Sequence, residues 1–257
     1  AAIVGGYFLI MGAWYLRNIN LFGTLMPPGN SRALWLTDYN QTYNLTLTQL
    51  TYENWTHSGA GVILLSRWEA LKLNLANFLV GQGGIVFLPL TAAGIWKLRK
   101  DNRIRFMLFM WLLTFLTMTI VFPFAGARGG YFHSSAAFQL YFWALAAVGL
   151  EIITTWGAQK RGWNSRQAFA VFGSGLAVIA VIISVYFFYS RVIGKNPNQP
   201  VWNQSERAYQ KVDGVLNNLG ISDDEVAVVN NPPGFYLATG RPSIVVPNGG
   251  IENLLAA

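Results

Sequence analysis

The chain has 257 residues, of which 53% are hydrophobic and 15% aromatic. Only 11% are charged, where an ordinary soluble domain carries about 25%, which excludes a disordered chain and argues against a single soluble globule. The net charge of +7 sits largely in short stretches beside apolar runs, the positive-inside pattern of membrane proteins rather than a nucleic-acid surface, and the absence of cysteine removes disulfides, thiol nucleophiles and thiolate metal sites.

The apolar runs approach the length of about 20 residues that crosses a hydrocarbon layer of ~30 Å at 1.5 Å per residue. Five spans are expected, near 1–16, 76–96, 104–122, 132–156 and 168–189, the first ending at Trp14-Tyr15 and the third at Pro123. The fold class read from this pattern is an all-α polytopic membrane domain over 1–190, with a long outer loop at 17–77. Lys97, Arg99, Lys100, Arg103 and Arg105 crowd one short connection, and Lys160, Arg161 and Arg166 another. Both are assigned to the cytoplasmic side. Alternation then puts 17–77, 124–131 and everything after 190 outside, in a cell membrane.

The outer loop begins with Arg17-Asn18 and a turn at Pro27-Pro28-Gly29, and Ser31 is a candidate helix cap. The first half of 62–79 reads as an interfacial helix. After Tyr189 the pattern changes to the start of a small extracytoplasmic α/β domain over 191–257. Asn203-Gln204-Ser205-Glu206 has the form of a capping box, followed by a helix ending at Gly220. Strands are expected at 226–229 and 244–246. The ends, Ala1-Ala2-Ile3-Val4 and Leu254-Leu255-Ala256-Ala257, fall inside apolar or helical patterns, so the chain is expected to be part of a longer polypeptide.

Three places have candidate chemistry. In 122–135, Arg128 is flanked by small residues, and His133, Ser134 and Ser135 open the next helix, whose N-terminal amides favour an anion. The alternative is an arginine snorkelling to lipid phosphates. In 17–39, Arg17 and Asp38 are possible substrate contacts, against the alternative of solvated loop charges. Asn230 and Asn231 precede Pro232-Pro233-Gly234 at the carboxyl end of a strand, where ligands of α/β modules collect, but these are also ordinary turn residues. Glu151 reads as interfacial. His57 and His133 are the only histidines, no metal-ligand spacing is present, and no cofactor is identified. Asn40, Asn44, Asn54 and Asn203 lie in Asn-x-Ser/Thr sequons.

The order of these residues resembles the C-terminal half of a polytopic GT-C glycosyltransferase. The group resembled is glycosyltransferase family 39, with the protein O-mannosyltransferases and the aminoarabinose transferase of lipid A. The stretches that carry the resemblance are Trp14-Tyr15-Leu16-Arg17-Asn18, Pro27-Pro28-Gly29 with Leu34-Trp35-Leu36-Thr37-Asp38-Tyr39, and Phe122-Pro123-Phe124-Ala125-Gly126-Ala127-Arg128-Gly129-Gly130-Tyr131-Phe132-His133-Ser134-Ser135. Pro200-Val201-Trp202-Asn203 and Val229-Asn230-Asn231-Pro232-Pro233-Gly234-Phe235-Tyr236 continue it. The resemblance implies a hexosyltransferase that moves a sugar from a polyprenyl-phosphate donor to an acceptor at the outer membrane face. It implies that the catalytic carboxylate lies in an earlier outer loop, so that this stretch alone is inactive and holds no catalytic residue. Arg128 and His133 are then the expected donor-phosphate ligands. The expected partners are the bilayer, the lipid-linked donor and an acceptor of unspecified identity. The competing readings are a non-catalytic membrane scaffold or sensor, and a transporter, which would favour mid-span charges and broken helices.

Overall fold

The computed structural model describes residues 2–26, 30–38, 41–45, 49–247 and 251–255. The turn expected at Pro27-Pro28-Gly29, the side chain of Ser31, and Tyr39 and Asn40 lie outside the described residues. The chain divides into two compact units. The first is Ala1–Asn74 with Leu116–Tyr131, and the second is Leu75–Phe115 with Phe132–Ala257.

In the first unit, helix α1, Ala2–Phe22, is mainly apolar, with three Leu and three Ile. It ends at Gly23, whose φ of 70° suits a residue without Cβ. Asn18, fully buried, donates from Nδ2 to the Leu25 carbonyl at 2.9 Å and fastens the chain after that end. A 3-10 turn at Asn30–Trp35 and helix α2, Gln41–Asn44, follow. Gln41 Oε1 accepts from the Thr37 and Asp38 amides at 2.8 and 3.2 Å. Thr51 caps helix α3, Tyr52–His57, and Trp35, Tyr52 and Trp55 form an aromatic cluster. Helix α4, Ala60–Ala76, carries Asn74, which donates to the Met118 carbonyl at 3.3 Å and to Thr119 Oγ1 at 3.1 Å. Those acceptors belong to a π-turn at Thr117–Val121.

Helix α7, Pro123–Ala125, and a second π-turn, Gly126–Gly130, wind the stretch that the sequence presented as an open outer loop. Pro123 does interrupt the preceding helix, but its fixed φ suits the first turn of a new one. A Cβ on Gly126 would lie 1.8 Å from the Met118 carbonyl oxygen, so glycine permits this packing.

The second unit begins at the end of α4 with a π-turn at Asn77–Gln82, followed by Gly83, Gly84 and a 3-10 turn at Ile85–Phe87. Helix α5 is Leu88–Leu98, and the helix bends by 77° at this break. The expected continuous span at 76–96 is therefore two pieces. Gly84, with φ of 53°, takes a left-handed conformation that a side chain would disfavour. Helix α6 is Asn102–Leu116, α8 is Tyr131–Arg161 and α9 is Ser165–Phe188. Asn164 caps α9 by accepting from the Gln167 amide at 3.1 Å.

Met107, Phe142 and Leu145 form the core of this unit, packed by Phe78, Trp111 and Phe138. Helices α5 and α8 touch through glycine. A Cβ on Gly94 would sit 2.0 Å from the Leu145 carbonyl oxygen, and one on Gly149 would sit 1.9 Å from that of Leu90. At the basic connection between α5 and α6, hydrogen bonds from the Arg103 guanidinium, then from its amide, hold the Asp101 carboxyl down at about 2. The carboxylate's contribution is therefore present above about pH 4 and is lost as the pH falls through about 2.

The expected boundary near 190 falls at a π-turn, Tyr189–Ile193, inside the second unit. Helix α10 is Gln204–Asn218, strand β1 is Ala227–Val229, helix α11 is Pro232–Thr239, β2 is Ser243–Val245 and α12 is Ile251–Leu255. The strands pair in parallel, Ala227 opposite Ser243 and Val229 opposite Val245. The expected capping box at Asn203 is not formed, because the chain enters α10 through a 3-10 turn, Val201–Asn203. That turn leaves Asn203 at φ −103° and ψ 20°, with no side-chain cap bond.

Among the described residues, Asn102–Val121, Pro123–Arg161 and Ser165–Ile193 are helical stretches long and apolar enough to cross a membrane, and the bent pair Ala60–Gln82 with Ile85–Leu98 is a fourth if taken as one span. Helix α1, with Arg17, Asn18 and Asn20 in its second half, is not among them. The chain is thus a mainly helical protein of membrane type.

Candidate functional site

Arg128 is exposed at a kink, with φ −87° and ψ 22°, and Gly129 beside it has φ of 106°. Its guanidinium carbon stands 5.8 Å from the centre of the Phe124 ring, a cation–π contact that steers the side chain. His133 is exposed in the first turn of α8 and belongs to the second unit, whereas Arg128 belongs to the first. Ser135 is fully buried and accepts from Gln82 Nε2, which removes it from the exposed serines expected there.

Arg17 is exposed on α1, and Asp38 is exposed after the 3-10 turn. Asn231 caps α11, its Oδ1 accepting from the Gly234 amide at 3.2 Å, so a structural role already occupies the oxygen considered for a ligand. Asn230 is exposed. No cluster of His, Asp or Glu suited to a metal ion is present among the described residues.

A large cavity lies wholly within the second unit. Helices α8 and α9, joined by a tight turn at 162–164, are separated by a groove of about 950 Å³ whose third wall is the broken helix around Gly81 and Gly84. The gap follows from side-chain size. Helix α9 turns Gly173, Ala177, Ala180 and Ser184 into it, a small residue at almost every helical turn. Gln139 Nε2 donates to the Gly81 carbonyl at 3.2 Å, and the buried Gln82 bonds to Ser135, so two amides fasten the broken helix to α8.

The groove is chemically polarised. Near the α8–α9 turn it is lined by Leu150, Phe169, Gly173 and Leu176. Towards the other end come Gln139, Ser184, Phe187 and finally Arg191, the single charged side chain in its lining. Arg191 sits in the π-turn after α9, which closes at Gly194, φ 78°, through the Gly194 amide and the Tyr189 carbonyl at 2.6 Å. Its guanidinium makes no hydrogen bond or ion pair with another described residue. Sequence reasoning missed this arrangement. The available signal was an arginine just beyond the C-terminal end of a long uncharged run, combined with the small residues of α9.

The chain matches no protein-family profile, no curated protein and no solved structure.

Proposed function

We propose that this protein is a membrane glycosyltransferase that takes a sugar from a polyprenyl-phosphate donor at the extracytoplasmic face, with 97–105 and 157–167 in the cytoplasm and the segment after 190 outside. In this reading α1 and the bent pair complete a set of five spans. The observation that supports it best is the exposed Arg128 at a glycine kink immediately before the long apolar helix α8. A helix of that kind starts near the head-group layer, and an arginine there meets a phosphate with paired hydrogen bonds. His133, in the first turn, is the second proposed ligand. Arg17, Asp38 and Asn230 remain proposed substrate contacts, with Asn231 positioning the loop through its cap. During transfer, fixed positive charge stabilises the departing phosphate while a carboxylate takes the acceptor's proton.

The broken span at Gly83–Gly84 is the observation that favours a transporter. Against it, the charges of the most apolar stretch, Ser165–Ile193, are Arg166 and Arg191, at its two ends.

The test is donor affinity of the full chain in detergent, with folding checked. Arg128→Ala should weaken binding roughly ten- to a hundredfold, the worth of a charge-assisted bond of ~1.5–3 kcal/mol, and Arg128→Lys should lose less. A lipid-snorkelling arginine would leave both variants at wild-type affinity, and that result would remove Arg128 from the site.

A further inference from the structure

We propose that helix α10 docks on the bilayer surface beside the end of α9, with Ala208, Val212, Val215 and Leu219 among the upper acyl chains and Arg207 and Lys211 on anionic lipid head groups. This surface is independent of the transferase reading and of the side of the membrane on which α9 ends.

Helix α10 has two faces with different surroundings. On one, the Tyr209 ring meets Phe235 of α11 edge-on at 5.8 Å, and Asp213 pairs with the buried Arg241 at 2.7 Å. That face holds the helix on its own segment. Ala208, Val212, Val215 and Leu219 recur at intervals of four, three and four residues, which places them on a single stripe. The stripe lies about 100° round the helix from the first face. All four residues are exposed, and for Val212, Val215 and Leu219 the exposed fractions are 50%, 57% and 71%. A surface helix of a globular protein turns polar residues outwards. Here the aliphatic ones point out.

Position and charge select a lipid surface as the occupant. The apolar stretch Ser165–Ile193 ends just before Gly194, and the turn at Val201–Asn203 folds back onto that end. Val201 packs against Gly194 so closely that a Cβ there has no room. Helix α10 begins at the next residue, Gln204, so it starts at the level where the span leaves the hydrocarbon. Trp202, 68% exposed in that turn, has the amphipathic ring that settles at membrane interfaces. Arg207 Nη1 donates to the Pro200 carbonyl at 2.8 Å and braces the turn against α10.

Between 191 and 211 the chain carries Arg191, Lys195, Arg207 and Lys211 against a single acid, Glu206. On α10 itself, Arg207 and Lys211 border the stripe, whereas Glu206 and Asp213 lie on the far side of the helix. An apolar stripe flanked by cations is the pattern of a helix lying in an anionic interface. A second copy of the chain would bring the same cations to the contact and no acid to meet them.

Depth-dependent quenching in the full chain tests the proposal, because a label can be placed on a single introduced cysteine. Val215→Cys on the stripe and Gln210→Cys on the opposite side each carry a fluorescent bimane. The protein is reconstituted in phosphatidylcholine vesicles, with or without an equal part of phosphatidylglycerol, containing lipid with a nitroxide near the top of its acyl chain. The label at position 215 should lose more than half of its emission in the anionic vesicles, and the label at 210 should keep nearly all of its own. Adding Lys211→Gln to Val215→Cys should lower the docked-to-free ratio, read from the label's lifetimes, about fivefold, the worth of one cation near an anionic surface. Val212→Asp with Leu219→Asp should abolish the quenching at 215. The two label positions decide the question even where that double change disturbs the fold. Equal quenching at 215 and 210, or none at 215, overturns the docking. A label at 215 shielded from both the nitroxide lipid and aqueous iodide assigns the stripe to a protein contact, and it overturns the proposal as well. An unchanged ratio in Lys211→Gln overturns the part given to the cations.

Discussion

Arg241 shows how much organisation a single side chain imposes on the segment after α9. It is 2% exposed, and Nε donates to Asp213 Oδ1 at 2.7 Å while Nη2 donates to Asp223 Oδ1 at 3.0 Å. The same guanidinium reaches Asn217 Oδ1 and the Ser222 carbonyl. One planar cation therefore ties α10 and the turn after it to the residue that leads into β2. A buried guanidinium is tolerable only when its donors are matched, and removal of one partner exposes the others to the full desolvation cost. Arg241→Met should destabilise this segment by about 3 kcal/mol, seen as faster amide exchange across α10 and β2, with α8 unaffected. Exchange at wild-type rates in α10 would mean that packing of Phe235 against Tyr209 suffices without the arginine. At this scale the sequence was only partly legible. Arg128 and Asn231 stood out because small or turn-forming neighbours surrounded them. Arg241 did not, because its role depends on groups far away in the chain.

Among the elements, the contact between α5 and α8 is one of the least forgiving. Gly94 and Gly149 bring each helix against the other's carbonyl oxygens, at distances a Cβ cannot share. Gly149→Ala should lower the thermal midpoint measured in detergent, in line with an overpacking cost of about 1–3 kcal/mol. Gly175→Ala on α9, where a Cβ meets nothing within 4 Å, should leave it unchanged or raised. Equal midpoints for the two variants would show that the helices separate freely. The sequence made α6, α8, α9, α10 and both strands legible within a few residues, since each follows from a sustained hydropathy period or an apolar run bounded by turn residues. The break at Gly83–Gly84 was hidden because its flanks are apolar on both sides, so the run reads as one span. The helical winding of 123–127, before the kink at Arg128 and Gly129, was hidden for the opposite reason: proline and glycine suggest a loop, yet they also fit a first turn and a close approach. The missing cap at Asn203 reflects a 3-10 entry that the capping pattern alone does not reveal.

For the whole molecule, the decisive fact is where the apolar surface lies. The apolar stretch of α9 has none of its side chains buried, and Val178, Val181, Ile182 and Val185 are each about 60% exposed. A soluble protein rarely presents so large a continuous apolar surface, whereas a bilayer solvates it. In the proposed arrangement the basic residues set the direction, and with it the placement of Arg128 at the outer lipid head-group layer on which the proposed phosphate contact depends. Cysteine scanning tests that placement most directly, because the chain contains no cysteine of its own. Asn102→Cys and Asn217→Cys, each introduced singly, are to be exposed to a membrane-impermeant maleimide in intact cells and again after permeabilisation. The account predicts that Asn217→Cys labels in intact cells and Asn102→Cys only after permeabilisation. Labelling of Asn102→Cys from outside intact cells would contradict it.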